Sequence, residues 1–252
     1  MKNRYHLDLL NKEQVDAIYQ SALQVLEKTG VAFHHDRALK ILADGGALID
    51  KESKVAKFPP DMVKKALKKV RRSFSLYDRD GEKRIDFQPG QTHFLMATYD
   101  KWVLDYMTGE RRLPTLRDVE CFIIVDDALE PVEAVGQQIV PRDVSLPLTQ
   151  IKTAEVVLKN TPKPALLHMM DLRDAKYIFA MAEAVAGGRE AFKKKPIFMA
   201  TNCPAAPLRY GKLELGVMFE NSIRHLPQGI GPCPTAGMSG PVTLAGMLVQ
   251  IM

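Results

Sequence analysis

The stretch that decides the fold runs from residue 164 to residue 201 and reads PALLHMMDLRDAKYIFAMAEAVAGGREAFKKKPIFMAT. A short apolar run, Pro164 to Met169, is followed by an amphipathic helical pattern from Asp171 to Ala186, which Gly187-Gly188 ends. A second apolar run follows from Pro196 to Thr201. Short apolar runs that alternate with helical segments are typical of parallel strands joined by crossover helices. The stretch therefore predicts a strand–helix–strand unit of an α/β sheet.

The same unit recurs along the second half of the sequence. The predicted strands span residues 132–140, 164–169, 196–201 and 228–232, and the predicted helices span residues 147–159, 171–186, 208–224 and 241 onward. Four strand–helix units at intervals of roughly 30 residues predict parallel strands with right-handed crossovers. The pattern fits an open sheet as well as part of a closed barrel, which by itself takes about 250 residues. No G-x-G-x-x-G sequence follows any of these strands, so the dinucleotide-binding fingerprint is absent.

The sequence before this region predicts helices and then short extended segments. We expect a helix capped by Asn11 and ended by Gly30, a helix from about Asp36 to Ala43 and a helix opened by Pro59-Pro60. A hairpin turning at Asp80-Gly81, extended segments over residues 92–114 with a turn at Thr108-Gly109, and a helix from Thr115 to about Leu129 follow in that order. These predictions rest on capping residues and turn residues rather than on a long periodic pattern of apolar residues.

Composition excludes several classes of protein. Of the 252 residues, 46% are hydrophobic and 26% are charged, and the longest apolar runs are too short to span a bilayer. The first residues show no secretory signal, and three cysteines cannot build a disulfide framework, so we expect a cytoplasmic protein. The net charge is +5, and the basic run Lys64 to Arg72 lies on a predicted helix as a solvated face. We expect neither a nucleic-acid partner nor a membrane, and an acidic protein partner is the alternative for the basic face.

The carboxyl ends of the predicted strands are the expected place of a functional site, because parallel α/β folds carry their catalytic and binding residues there. The candidates for substrate binding are Gln137, Gln138, His168, Asn202, Cys203, Met238 and Ser239. No nucleophile elbow, P-loop or H-E-x-x-H sequence accompanies them, so no residue is assigned a catalytic role.

Three arrangements, two at the ends of the predicted strands and one in the extended segments before them, each have two interpretations. His168, Cys203 and Cys233 are the residue types of a catalytic zinc site, but they come one per strand unit and also fit local structural roles. Ser239 or Gly240 caps a helix with Pro241 at its first position, and the free N–H groups there either hold an anion or simply start a helix. The third arrangement is the aromatic set Tyr77, Tyr99 and Trp102, which could enclose a quaternary ammonium group or pack in the core.

Several segments together resemble the trimethylamine methyltransferase family, the amine:corrinoid methyltransferases. They are LEKTGVAFHHDRALKILADGGALID, SFSLYDRD, WVLDYMTGERRLPTLRDVE, VPRDV, KPIFMATNCPAAPL and TAGMSGPVTLAGMLVQ, and they occur in the family's order from about residue 15 to residue 250. The resemblance implies a (β/α)8 TIM barrel after an N-terminal helical region. In this chain it implies a helical region with a small β-hairpin over residues 1–90 and the first half of the barrel over residues 91–252.

The resemblance also implies an activity in methylamine metabolism and methanogenesis. Family members move a methyl group from a methylated amine, such as trimethylamine or glycine betaine, to the cobalt of a separate corrinoid protein. The expected partners are therefore a small amine or betaine and a corrinoid protein, and no metal or cofactor is expected on this chain itself. On this reading Gln137, Gln138 and Asn202 orient the substrate, and Ser239 with the adjacent helix start holds an anionic group such as a betaine carboxylate.

The sequence departs from the family pattern in two ways. Ala205-Ala206 stands where the family commonly has a Thr-Ser pair, and the chain is about half the family's length. It stops before the second half of the barrel, where the trimethylamine enzymes carry pyrrolysine, so we expect an interrupted protein that forms homo-oligomers. Two alternatives remain: a truncated half-barrel that acts only by association, or a zinc-dependent methyl or thiol transferase.

Overall fold

The computed structural model describes residues 9–96, 99–169, 171–231 and 233–252, and the chain divides into two compact units. The first unit takes the chain up to Val70, the segment Cys203–Lys212 and the final segment to Met252. The second unit takes Arg71–Asn202 and Leu213–Gly231.

The secondary structure elements are as follows. Up to residue 69 they are α1 (Lys12–Lys28), β1 (Val31–Phe33), α2 (Asp36–Asp44), β2 (Leu48–Asp50), β3 (Val55–Lys57) and α3 (Pro60–Lys69). From residue 74 they are β4 (Phe74–Tyr77), β5 (Arg84–Phe87), β6 (Phe94–Met96), β7 (Val103–Leu104), β8 (Arg111–Arg112) and α4 (Leu116–Ala128). From residue 132 they are β9 (Val132–Gly136), α5 (Thr149–Asn160), β10 (Ala165–His168), α6 (Leu172–Val185), α7 (Arg189–Lys194), β11 (Phe198–Asn202), β12 (Arg209–Tyr210), α8 (Lys212–Ile223), β13 (Gln228–Ile230) and α9 (Leu244–Ile251).

The first unit contains a small sheet that the sequence did not predict. Its strand order is β12-β1-β3-β2, with β12 parallel to β1 and the other pairs antiparallel. The strands have two or three residues each, too few for an alternating pattern to be recognised. Gly30 makes the approach of β1 to β3 possible, since it has φ +77° and a Cβ there would lie 2.4 Å from the carbonyl oxygen of Ala56.

The second unit is built on a five-stranded parallel sheet in the order β13-β11-β10-β9-β6. Four of these strands were predicted. The fifth, β6, comes from a segment that was predicted only as extended chain, and it joins the sheet in parallel beside β9. The connection between them contains α4, so this pair is also a strand–helix–strand unit. The observed architecture is mixed α/β with a parallel sheet.

One face of this sheet carries the main apolar core. Val135, Ala165, Leu167, Phe198 and Ala200 alternate along three neighbouring strands and pack with buried apolar side chains of the helices. The helical members of the cluster include Val119, Ile123, Ala154, Val157, Ile178, Phe179 and Val217. Successive strand residues point to opposite faces, so His168 and Thr201 lie on the face away from this core.

The β4–β5 hairpin closes the amino end of the sheet. The N–H of Tyr77 donates to the carbonyl of Pro196 (2.9 Å), and the N–H of Arg79 donates to that of Pro162 (2.7 Å), just before β11 and β10 begin. Leu76 is fully buried in this hairpin. Backbone hydrogen bonds and an apolar side chain therefore hold this end, an arrangement typical of a stabilising region.

Three sequence expectations are corrected by the structure. The helix expected from residue 208 begins at Lys212, because Arg209 and Tyr210 pair with β1 instead. The helix expected from Pro241 begins at Leu244, because Thr243 is its N-cap and its hydroxyl accepts from the N–H of Gly246. The strand expected to reach residue 140 ends at Gly136.

Most other predicted elements are confirmed. Asn11 and Gln14 form a capping box at the start of α1, and Thr115 and Asp118 form one at the start of α4. Pro232, the last residue of the strand predicted over 228–232, lies outside the described residues. In the part of the chain that the structure describes, no helix is both long and apolar enough to cross a bilayer.

Candidate functional site

His168 and Thr201 form the centre of a polar cluster at the carboxyl edge of the five-stranded sheet. They are register partners on β10 and β11, so their side chains lie on the same face. The imidazole Nδ1 and the threonine Oγ1 share a hydrogen bond of 3.0 Å. Burial lowers the pKa of His168 below its ordinary 6.5, because desolvation disfavours the imidazolium. The ring is therefore neutral at pH 7.

Tyr99 brings an aromatic ring against this histidine from the chain that follows β6. The two ring centroids lie 4.8 Å apart with the planes tilted by 56°. Tyr99 has φ +66°, a left-handed conformation that is uncommon for residues with a side chain and often accompanies function. The Asp100 N–H donates to the carbonyl of Gln138 (2.6 Å), and the Val140 N–H donates to the carbonyl of Asp100 (2.8 Å), so the backbone beside Tyr99 is fixed.

The surroundings of the Tyr99 hydroxyl come from the first turns of two helices and from the loop after β9. The Nε2 of Gln150, on α5, donates to the tyrosine oxygen. Burial raises the pKa of Tyr99; the Asp174 carboxylate on α6 raises it further, whereas Gln150 and the Arg142 guanidinium lower it. The hydroxyl is therefore protonated at neutral pH, in a setting that holds a carboxylate and a guanidinium.

Asp174 itself is partly buried at the start of α6. Burial first, and then the neighbouring Asp171 carboxylate, raises the pKa of Asp174. The edge of the sheet thus combines an aromatic ring, a neutral imidazole, the carboxyl groups of Asp171 and Asp174 and the guanidinium group of Arg142. An aromatic face beside a carboxylate attracts an organic cation, and a neutral imidazole adds no repulsion.

The four predicted site residues of the second unit have different surroundings. His168 lies in the cluster just described. Gln137 and Gln138 follow the end of β9 rather than lying within the strand, and both are buried. The Nε2 of Gln137 donates to the carbonyl of Ile139 (3.3 Å), whereas the Nε2 of Gln138 donates to Asp126 on α4. Asn202 ends β11, and its buried Nδ2 has no hydrogen-bond partner among the described residues.

The three predicted site residues of the first unit lie in its loops. The Cys203 thiol is hydrogen-bonded to the thiol of Cys233; partial burial and then this neighbour raise the pKa of Cys203. Met238 is 85% exposed. The Oγ of Ser239 accepts from the Thr235 N–H (3.0 Å), so it closes a turn and does not cap α9. The helix start that was expected beside Ser239 therefore lies at Thr243 instead.

The zinc and aromatic-box interpretations gain no support. Over residues 9–96, 99–169, 171–231 and 233–252, no three His, Cys, Asp or Glu side chains are grouped as metal ligands. Tyr77 lies at the amino end of the sheet, where Lys195 Nζ is 5.8 Å from its ring centroid. Trp102 is half exposed and stacks with Arg111 at 4.3 Å. Of the three aromatics, only Tyr99 contacts His168.

Sequence reasoning had no basis for choosing Gln150 and Asp174. Both lie in the first turn of a helix that follows a strand, and such turns face the carboxyl edge of a parallel sheet. That position is a usable signal, but it does not say which polar residue of a turn reaches the site. Tyr99 was considered only as one of three aromatics, because its left-handed backbone cannot be read from sequence.

The comparisons with known proteins agree on one family. The family model described as trimethylamine methyltransferase matches residues 1–252. The relatives include the trimethylamine methyltransferase MttB of Desulfitobacterium hafniense strain DSM 10664 / DCB-2, which is 30% identical over 94% of this chain and 48% of its own length. A glycine betaine methyltransferase of D. hafniense strain Y51 is 24% identical over 96% of this chain and 50% of its own. The trimethylamine methyltransferase MttB of Methanosarcina thermophila is 28% identical over 98% of this chain and 52% of its own length. The chain spans about half the length of these curated relatives.

Proposed function

This chain belongs to the trimethylamine methyltransferase family, and we propose that it takes part in moving a methyl group from a methylated amine or betaine to the cobalt of a corrinoid protein. The family match along the whole chain supports the reaction class. The names of the relatives support both kinds of substrate, since one is a glycine betaine methyltransferase. We also propose that the five-stranded sheet is part of an eight-stranded barrel, as the chain's share of its relatives' length suggests.

The observation that carries the proposal is the Tyr99–His168 pair at the carboxyl edge of the parallel sheet. In barrels of this type the site lies at that edge. A methylated ammonium group has no N–H to donate when it is quaternary, so it is bound by aromatic faces and negative charge. Tyr99 supplies the face, and Asp174, whose charge acts on Tyr99, supplies the carboxylate.

The chain's own residues hold the substrate and orient it. Corrinoid cobalt(I), when its carrier protein is docked, supplies the electron pair of the new bond to carbon. The C–N bond breaks, and the nitrogen keeps the electron pair and leaves as a neutral amine. Because the leaving amine loses its positive charge, the neutral His168 and the aromatic ring suit the product as well as the substrate. Fixing the methyl group in line is the main contribution of such a site.

The test is spectroscopic. The chain is mixed with a corrinoid protein in its cobalt(I) state, and trimethylamine, dimethylamine and glycine betaine are added in turn. We expect loss of the cobalt(I) absorption with at least one of them and a slower loss with Tyr99→Leu. If the spectrum is unchanged with all three substrates, the proposed function is wrong for this chain.

A second proposal concerns association. Within the described residues β6 and β13 form the two edges of the sheet, and each carries unpaired backbone groups on its outer side. Pairing of such edges with another polypeptide, including a second copy of the chain, would satisfy those groups. The mass of the purified chain in solution tests this, and a monomer at all concentrations would exclude homo-oligomers.

A further inference from the structure

A buried carboxylate on α4 connects the helix layer to the candidate site. Asp126 is 2% exposed, lies in the last turns of α4 and accepts a hydrogen bond from the Nε2 of Gln138. Lys163 lies on the other side, where its Nζ donates to the carbonyls of Asp126 (2.8 Å) and Leu129 (2.9 Å). The lysine therefore holds the backbone at the end of α4, whereas the carboxylate itself is bonded to the glutamine.

Gln138 connects Asp126 to the segment that carries Tyr99. Its side chain is bonded to Asp126, and its backbone carbonyl accepts from the N–H of Asp100 at 2.6 Å. Asp100 forms a parallel bridge with Ile139 and directly follows Tyr99. One residue therefore joins the α4 carboxylate to the backbone next to the tyrosine.

Tyr99 needs such a constraint because its backbone is in an unfavourable region. A left-handed backbone is unfavourable for a residue with a large side chain and persists only where the surroundings fix it. Gln150 holds the hydroxyl, and Gln138 holds the following peptide. Both bonds therefore hold parts of the residue whose ring lies 4.8 Å from that of His168.

We infer that Asp126 is a positioning residue which, through Gln138, holds the ring of Tyr99 against His168. The inference assigns Gln138 to support of the site rather than to direct substrate contact. It rests on the proposed function only for its effect on turnover, since the arrangement of the two rings is measurable without substrate or corrinoid protein.

The experiment follows the His168 ring by NMR in chains with labelled histidine, with the resonance assigned from His168→Gln. Asp126→Ala removes the acceptor, and we expect the His168 resonance to shift and its pKa to rise toward the ordinary value of about 6.5, as the ring loses the cover of Tyr99. Asp126→Asn keeps an oxygen acceptor for Gln138, and we expect it to restore the wild-type resonance.

The matched control is the next residue on the same helix. Asp127 accepts a hydrogen bond from the Oγ1 of Thr161 (2.5 Å), so Asp127→Ala also removes a carboxylate contact of α4. Within the part of the chain that the structure describes, Asp127 makes no hydrogen bond to Gln138, and we expect Asp127→Ala to leave the His168 resonance in place. An equal shift with Asp127→Ala would show general loosening of α4 and overturn the inference.

A second variant keeps the test decisive if Asp126→Ala does not fold. Gln138→Met conserves the volume and removes the amide from the other end of the same bond. We expect the same His168 shift, and no additional shift when it is combined with Asp126→Asn. A wild-type His168 resonance in Gln138→Met would also overturn the inference, whatever the outcome with amines.

Discussion

The two ends of the five-stranded sheet differ in how their polar groups are used. At the amino end, backbone N–H and C=O groups pair between the β4–β5 hairpin and the residues before β10 and β11, and fully buried Leu76 fills the hairpin. At the carboxyl end, Tyr99 has a left-handed backbone and Asn202 keeps a buried Nδ2 with no partner among the described residues. The amino end is arranged for stability, whereas the carboxyl end retains strain and unpaired polarity, as expected at a site.

The largest effect on stability is expected at the amino end. Leu76→Ala removes a fully buried side chain, and we expect the free energy of unfolding to fall by about 2–5 kcal/mol. The His168 resonance should not move, because the hairpin lies at the other end of the strands. Urea unfolding measures the first quantity and NMR of folded protein the second. A moved His168 resonance would show that the two ends are not independent.

The next largest effect is expected on the binding of organic cations at the carboxyl end of the sheet. Tyr99→Leu removes the aromatic face, and we expect affinity for a quaternary ammonium ligand to fall by roughly 0.5–2 kcal/mol, or up to about 30-fold. Tyr99→Phe keeps the ring but loses the hydrogen bond from Gln150, and we expect its affinity to fall less than that of Tyr99→Leu. Calorimetric titration with glycine betaine or tetramethylammonium measures both. Equal losses in the two variants would place the contribution in the hydroxyl and contradict the cation–π account.

The sequence predicted the secondary structure elements better than the contacts between elements that lie far apart in the chain. Capping residues such as Asn11 and Thr115 and the turn at Gly81 act within a few residues, so the elements that they begin or end were predicted correctly. The pairing of β1 with β12 joins residues far apart in the chain. These strands have only two or three residues each, which is too few for an alternating pattern to predict the pairing. Strand-end position made His168 a candidate site residue, and this stays a prediction. The contacts that surround it depend on helix turns, whose direction only the fold sets.

Asp126 is expected to make a smaller contribution to stability, one that depends on pH. Burial raises its pKa from 3.8 to about 6, so the folded chain holds a proton that the unfolded chain releases between these values. The contribution of this group to stability is therefore lost as the pH rises from about 4 to about 6. In Asp126→Asn we expect that part of the pH dependence to disappear. Urea midpoints of both proteins from pH 4 to pH 7 measure it, and parallel curves would be inconsistent with a raised pKa.

The smallest effect is expected from an exposed contact at the amino end. Lys195 Nζ donates to the carbonyl of Gly81 at 2.9 Å and lies 5.8 Å from the centroid of the Tyr77 ring. Lys195→Met removes both contacts of the ammonium group and keeps the aliphatic part of the side chain. We expect the free energy of unfolding to fall by about 1 kcal/mol or less. A loss as large as that of Leu76→Ala would mean that polar contacts rather than the buried side chain hold this end.

The central claim is that organic cations bind at the carboxyl end of the sheet, beside Tyr99 and His168, and not at the amino end. His93 reports on the amino end, because it immediately precedes β6, bonds to Glu133 through Nδ1 (2.8 Å) and packs on Phe87. The most direct measurement is an NMR titration of the chain with glycine betaine that follows both histidine rings. We expect the His168 resonance to move to saturation while that of His93 stays still. Movement of His93 with His168 unchanged would contradict the account.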